Sequence, residues 1–217
     1  MIPGTIWGAD SIHATFVADA RSADGPRAKR EDRYRIESVQ VIRGAVASPP
    51  APGWSMTRWE SDAPWEAKGA IVYRGATAPL QYTSPAQVAA LARSRQEFPA
   101  GSGSVRAVLI PIRKSAAWWA LPAEERMGYF ARRQGRAGHT QIGEPYIDRV
   151  FRRLYHAPSQ GTGGEYDFLT YFEFRDEDEA VFRKLLEKLR DPELNPEWGF
   201  VDREWEIWTR LANREVR

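Results

Sequence analysis

RRLYHAPSQGTGGEYDFLTYFEF, residues 152–174, decides how this chain is read. Its first part, Arg152 to Ala157, is short and alternates apolar with polar side chains. Its last part, Tyr166 to Phe174, is rich in aromatic residues. Between them SQGTGG (159–164) has the composition of a loop, so the stretch predicts two strands joined across a glycine-rich connection. Downstream, Asp176 to Leu189 carries Ala180, Phe182, Leu185, Leu186 and Leu189 near helical spacing, which predicts an amphipathic helix. Asp191-Pro192 and Asn195-Pro196 end it, and Phe200 to Trp208 predicts a last strand. Upstream, Leu121-Pro122 and AEERMGYFARRQ predict a helix with acidic residues in its first turn, weakened at Gly135 and Gly138. A second helical segment is expected at about 139–151, and Val105 to Ile112 is an apolar strand ending in Arg113-Lys114. The order is strand–helix–strand–strand–helix–strand, the ferredoxin-like pattern of an antiparallel sheet with helices on one face.

The preceding half is sparser. Residues 12–20 and 34–42 alternate as strands do, while the polar stretch 21–33 between them predicts a loop. AVASPPAPG (45–53) excludes a helix or strand interior, and WSMTRWES (54–61) and AIVYRG (70–75) predict two more strands around a turn at 62–69. Ser84-Pro85-Ala86-Gln87 has the pattern of a helix start, with the helix running to about Arg95. PAGSGS (99–104) marks the boundary, giving halves at 1–104 and 105–217. The fold class is therefore α+β: ferredoxin-like antiparallel sheets, with an abbreviated N-terminal half, forming an α+β barrel. No sequence repeat links the halves.

Composition narrows the chemistry. The 217 residues are 42% hydrophobic and 28% charged, with a net charge of +2. That is an ordinary globular balance, and too little charge to argue for a nucleic-acid or membrane partner. No apolar run approaches the ~18 residues of a membrane span. Residues 1–16 lack the basic and continuous apolar regions of a secretory signal, so the expected location is the cytoplasm. The absence of cysteine removes disulfides, iron–sulfur clusters and thiolate catalysis. Three histidines leave few places for metal or haem chemistry. His139 is either a surface helix histidine beside Gly138 and Thr140 or an axial ligand. His156 is a rival ligand better read as structural, and His13 has no supporting context. Asp148, Arg149 and Arg153 read as solvated. Nine tryptophans are expected mostly as core anchors.

IPIRKSAAWW (110–119), the PAEER that follows, His139, RRLYH (152–156) and DFLTYFEF (167–174) resemble the chlorite dismutase family, above all its short dimeric lineage. The likeness covers about residues 105–208, in several blocks in the right order. It implies a ferredoxin-like barrel, a homodimer, and haem b in the C-terminal half. It also implies conversion of chlorite to chloride and dioxygen through a ferryl haem and transient hypochlorite. His139 matches the proximal iron ligand, Glu197 the carboxylate that orients it, and Lys114 the basic residue completing that network. These residue types suit the task, because a ligating imidazole gains basicity and orientation from a partner on its other nitrogen. Arg152 matches the distal arginine, a permanent cation for an anionic substrate. Ile147, Leu169, Thr170 and Phe172 are expected on the distal side, with Trp118 or Trp119 at the haem edge. A haem-binding or haem-sensing module without turnover is the alternative from another class. A coproheme decarboxylase-like enzyme is a second, against which Arg152 argues, and a haem-free α+β barrel is a third.

Overall fold

A computed structural model describes residues 12–20, 30–61, 71–77, 104–130, 138–158, 161–162 and 164–216. The turn expected at 62–69 and the helix expected at 84–95 lie outside the described residues, as do Trp7 and Trp65. Among the described residues there are eight strands: β1 (His13–Asp19), β2 (Arg30–Arg43), β3 (Ser55–Ser61), β4 (Ile71–Ala76), β5 (Val105–Lys114), β6 (Val150–His156), β7 (Phe168–Arg175) and β8 (Val201–Val216). The helices are α1 (Ala116–Ala120), α2 (Ala123–Phe130), α3 (His139–Gly143) and α4 (Glu179–Arg190). Among the described residues no helix is long and apolar enough to cross a membrane.

The strands close into one antiparallel barrel in the order β4-β1-β3-β2-β8-β5-β7-β6, with β6 returning to β4. Each half contributes four strands, and both use the same order: fourth, first, third, second. That shared order is the ferredoxin-like arrangement, and it makes the N-terminal half a copy that sequence similarity does not show. The seams between the halves differ. β2 and β8 pair from Arg30↔Val216 to Arg43↔Glu204, with three register shifts. Among the described residues, β4 and β6 share the pairing Ala76↔His156. Gly75 makes that approach possible, because a Cβ there would lie 2.7 Å from Tyr155 Cβ and 3.0 Å from the His156 carbonyl oxygen.

Strand alternation sorts side chains between two cores. Inside the barrel lie Phe16, Tyr34, Ile36, Tyr73, Leu109, Phe151, Tyr155, Leu169, Tyr171 and Trp205. Outside, α4 lays Phe182, Leu185 and Leu186 on Val108, Phe172, Phe174 and Trp208. The Phe174 and Phe182 rings stack at 4.4 Å. Each such fully buried side chain is worth ~1.5–3 kcal/mol, so α4 is held by packing more than by its own propensity.

Four expectations are corrected. Residues 30–33 are not loop. They belong to β2, between β3 and β8; Asp32 is satisfied inward, meeting Arg58 at 3.0 Å and Arg214 at 2.8 Å, while Arg33 pairs with Glu31 at 2.8 Å. The helix expected at 139–151 stops at Gly143, passes through a 3-10 turn at Glu144–Tyr146 that carries Pro145 at its start, and becomes β6 at Val150. The last strand runs to Val216 rather than Trp208, because LANREV pairs with the start of β2. Arg153 is not solvated: it points into the barrel and donates to Glu60 at 2.6 Å. Arg149 is exposed on its own side but pairs with Asp178.

Candidate functional site

A cleft of about 680 Å³ of empty space, part of it open to solvent, lies between the outer face of the C-terminal sheet and α4. Its walls are apolar: Ile110, Ile112, Leu154, Phe168, Phe172 and Leu186. Into it project His139, Arg152, Lys114, Glu197, Thr170, Arg190, Asn195 and Glu204. Apolar walls with a few convergent polar groups are the general form of a small-molecule or cofactor site.

Local structure explains how these groups are aimed. His139 is the first residue of α3, directly after buried Gly138, whose N–H donates to Gln141 Oε1 at 2.9 Å. The edge of Phe130 packs on the imidazole at 4.9 Å. Lys114 ends β5 at a register shift, and its backbone N–H donates to Asp167 Oδ2 at 2.8 Å. Glu197 sits in the 3-10 turn Pro196–Phe200. That turn is fixed by Asn195 Nδ2 donating to the Leu189 carbonyl (2.7 Å) and by Ser115 N–H donating to the Phe200 carbonyl (2.8 Å). From β2, Arg43 donates to the Trp198 carbonyl at 2.9 Å. On β6, alternation turns Arg152 and Leu154 to the cleft while Phe151, Arg153 and Tyr155 face the barrel.

The side chains form a chain of contacts. Lys114 Nζ donates to Glu197 Oε1 at 2.6 Å, and His139 Nδ1 meets Glu197 Oε2 at 2.7 Å. Burial pushes the Glu197 carboxyl up, but its contacts with His139 and Lys114 outweigh that and hold it down at about 2. An ionised carboxylate has no proton to give, so Nδ1–H is the donor and Nε2 carries the lone pair. Burial, with Arg152 adding to it, pulls His139 below the ordinary histidine range against the opposing pull of Glu197. The imidazole is therefore neutral, which is the ligating form.

Nε2 of that imidazole faces Arg152, whose Nη2 lies 3.5 Å away, beyond a good hydrogen bond. Arg152 Nε is buried with no hydrogen-bond partner. Burial also lowers the pKa of Arg152, while Glu197 raises it. Its guanidinium rests over the Phe172 ring at 5.9 Å. A lone pair and an under-satisfied cation thus face each other within apolar walls. That donor set fits a flat apolar group with an electrophilic centre for Nε2 and an anion for Arg152. A haem carrying an anionic ligand has both features.

The structure brings His139, Lys114, Glu197, Arg152, Thr170 and Phe172 to one cleft. Leu169 is different: it faces the barrel interior. Ile147 is also not in the lining, because the chain after Gly143 turns rather than continuing as helix. Trp118 stands one layer back. It is buried against Tyr129, Phe130 and Phe200, with Lys114 Nζ 4.8 Å over its ring. Trp119 stacks on Phe168, itself a wall residue, at 6.2 Å. His156 packs on Phe168 from outside the lining. Sequence reasoning missed Asp167, Arg190, Asn195 and Glu204. Asp167 had a legible signal, an Asx residue directly before a strand. The other three become neighbours only through the packing of α4 on β8.

A family model for chlorite dismutase matches residues 70–198. The chain belongs to the chlorite dismutase family. A chlorite dismutase from Ideonella dechloratans is 34% identical over 104 residues, 46% of this chain. That match spans only 32% of the Ideonella protein's length. The dimeric chlorite dismutase of Nitrobacter winogradskyi superposes with a TM-score of 0.65 at 29% identity, covering 92% of this chain and 99% of that one. The chlorite dismutase of Candidatus Nitrospira defluvii, solved with imidazole, gives 0.61 at 18% identity over 93% of this chain and 91% of that one, a likeness of fold. The family match runs from just before β4 to the turn carrying Glu197, so it includes every polar group of the His139–Glu197–Lys114–Arg152 constellation.

Proposed function

We propose that this chain is a haem b-dependent chlorite dismutase, converting chlorite to chloride and dioxygen. The observation that carries the reading is the neutral His139, backed by Glu197 and Lys114, with the buried Arg152 guanidinium 3.5 Å from its Nε2 in one apolar-walled cleft. Bound haem b supplies the redox centre at which a Cl–O bond breaks and an O–O bond forms. His139 holds it through Nε2. Glu197 accepts the Nδ1 proton's hydrogen bond, which fixes the ring and raises the basicity of Nε2. Lys114 keeps Glu197 ionised and aimed. Arg152 draws chlorite into the cleft and orients it with guanidinium donors that stay charged at working pH. It also retains the oxyanion formed when the Cl–O bond breaks, so that both reacting fragments stay within reach. Ile110, Leu154, Phe168 and Phe172 keep water from the reacting atoms.

The deciding experiment adds chlorite to haem-loaded protein and measures dioxygen. Dioxygen release supports the enzyme; haem binding without release leaves the haem-sensing reading in its place. Arg152→Ala is expected to lower dioxygen yield and to accelerate haem bleaching by escaping hypochlorite, and unchanged turnover and haem lifetime would overturn the role of Arg152. His139→Ala is expected to lose haem affinity. The likeness to a dimeric relative also supports a homodimer, which light scattering on the purified protein tests.

A further inference from the structure

The cleft and the barrel interior share β7. Thr170 and Phe172 face the cleft, and Tyr171 between them faces inward, one strand's thickness away. Its hydroxyl donates to Glu173 Oε1 and lies 2.5 Å from the hydroxyl of Tyr34, which itself reaches the same carboxylate oxygen at 3.2 Å. Glu173 is fully buried, and its second oxygen, Oε2, has no hydrogen-bond partner. Three arginines lie near this carboxylate: Arg214 in contact, Arg58 at 3.8 Å and Arg30 at 4.0 Å. Each of them also pairs with Asp32, at 2.8, 3.0 and 2.7 Å. If Glu173 became neutral, no arginine would lose its only carboxylate. An apolar core does not need this cluster, since phenylalanine fills the same space without a buried hydroxyl to satisfy.

We propose that Tyr171 is a redox site, donating one electron to oxidising equivalents generated in the cleft, with Glu173 as its proton acceptor. The proposal rests on the haem reading above. In the step, the Tyr171 O–H bond breaks. The electron goes to a haem that has itself been oxidised by a peracid or a hypochlorite-class oxidant, and the proton moves along the existing hydrogen bond to Glu173. The products are a neutral tyrosyl radical, a protonated Glu173 and a haem less oxidised by one electron, so charge and atoms balance. The 2.5 Å contact then offers Tyr34 as a second resting place for the radical. Such a route moves a stray oxidising equivalent off the cleft walls and into the barrel.

Tyr155 is the internal control. It also faces the barrel, beside the cleft residue Leu154, but its hydroxyl donates to Glu60. Glu60 Oε1 is bonded directly by two arginines, Arg58 at 2.5 Å and Arg153 at 2.6 Å, whereas Glu173 is bonded by Arg214 on Oε1 and keeps Oε2 without a hydrogen-bond partner. The test loads the full chain with haem, measures haem stoichiometry, mixes it with peracetic acid and freeze-quenches it for electron paramagnetic resonance. Ring-deuterated tyrosine identifies a tyrosyl signal by narrowing it. A tyrosyl radical in the parent protein, retained in Tyr155→Phe and largely lost in Tyr171→Phe, supports the assignment. Haem uptake with no tyrosyl radical, or with equal radical in Tyr171→Phe, overturns it alone. Failure to take up haem overturns the site reading and this proposal together.

Discussion

Lys114 and Glu197 form a buried ion pair whose worth can be separated from its parts. Their side chains are 5% and 9% exposed, and the contact is 2.6 Å. Replacing Lys114 with Met leaves the Glu197 carboxylate in the apolar cleft with His139 as its remaining partner. Breaking one side of a buried pair costs ~3–5 kcal/mol, and the retained histidine bond moves the expectation to the low end, ~3 kcal/mol. Glu197→Gln strands the Lys114 ammonium instead, with the Trp118 ring 4.8 Å away as partial relief, and is expected to cost ~2–3 kcal/mol. The double variant removes both charges and leaves neither uncompensated. Its loss should be well below the sum of the two, with a coupling of ~2–3 kcal/mol, because neighbours in one network do not add. The assay is urea unfolding of the cofactor-free protein followed by tryptophan fluorescence, with thermal melts as a check. In a chain of this size a ~3 kcal/mol loss lowers the midpoint by ~6–12 °C. Additive losses, with the double variant matching the sum to within ~0.5 kcal/mol, would refute the claim that these groups act as a pair.

Gly75→Ala should disturb barrel closure at β4–β6, since the new methyl meets Tyr155 Cβ at 2.7 Å. A loss of ~1–3 kcal/mol is expected in a denaturant titration, and an unchanged midpoint would show that the seam relaxes freely. Glu60→Ala removes a carboxylate shared by Arg58, Arg153 and Tyr155, and should cost ~3–5 kcal/mol by taking from buried Arg58 its shortest ion pair and from Arg153 its Glu60 bond. Although burial pushes the Glu60 carboxyl up, Arg58 and Arg153 hold it well below its ordinary value of 4.5. A depressed carboxylate contributes stability that is present above its unfolded pKa and lost as pH falls below it. Glu60→Gln should therefore flatten the fall in stability from about pH 5 downward relative to the parent, and identical acid profiles would contradict that assignment. Asp167→Ala frees the Lys114 N–H and the Gly161 N–H, each bonded at 2.8 Å, and should lower haem affinity in a titration more than it lowers stability.

Much of the C-terminal half was legible because its signals are local. Period-two alternation and aromatic content marked β6 and β7, and helical spacing marked α4, so the ferredoxin-like order followed without any tertiary information. The same alternation separates Arg152 from Arg153, since adjacent strand residues face opposite ways. What it does not say is that the far side is a closed barrel rather than solvent. Arg153 and Asp32 look solvated in sequence, and only closure of the sheet supplies Glu60, Arg58 and Arg214 as partners. The helix expected past Gly143 shows the converse: apolar residues at 147, 150 and 151 fit either period, and strand pairing with β7 decided for β6.

Residues 152–174 by themselves determined two strands, their loop, and an arginine on the face opposite Tyr155. Chain order around them determined a ferredoxin-like half. His139, Arg152, Lys114 and Glu197 came from matched blocks, not from any periodicity. Only the tertiary structure decided that they meet. Lys114 and Glu197 are 83 residues apart, and their contact depends on β5 pairing with β8 and on α4 returning the chain to that edge. It also decided that both halves share one strand order and one closed barrel. Side-chain period is a property of neighbours along the chain, whereas a site belongs to whichever surfaces burial forces together.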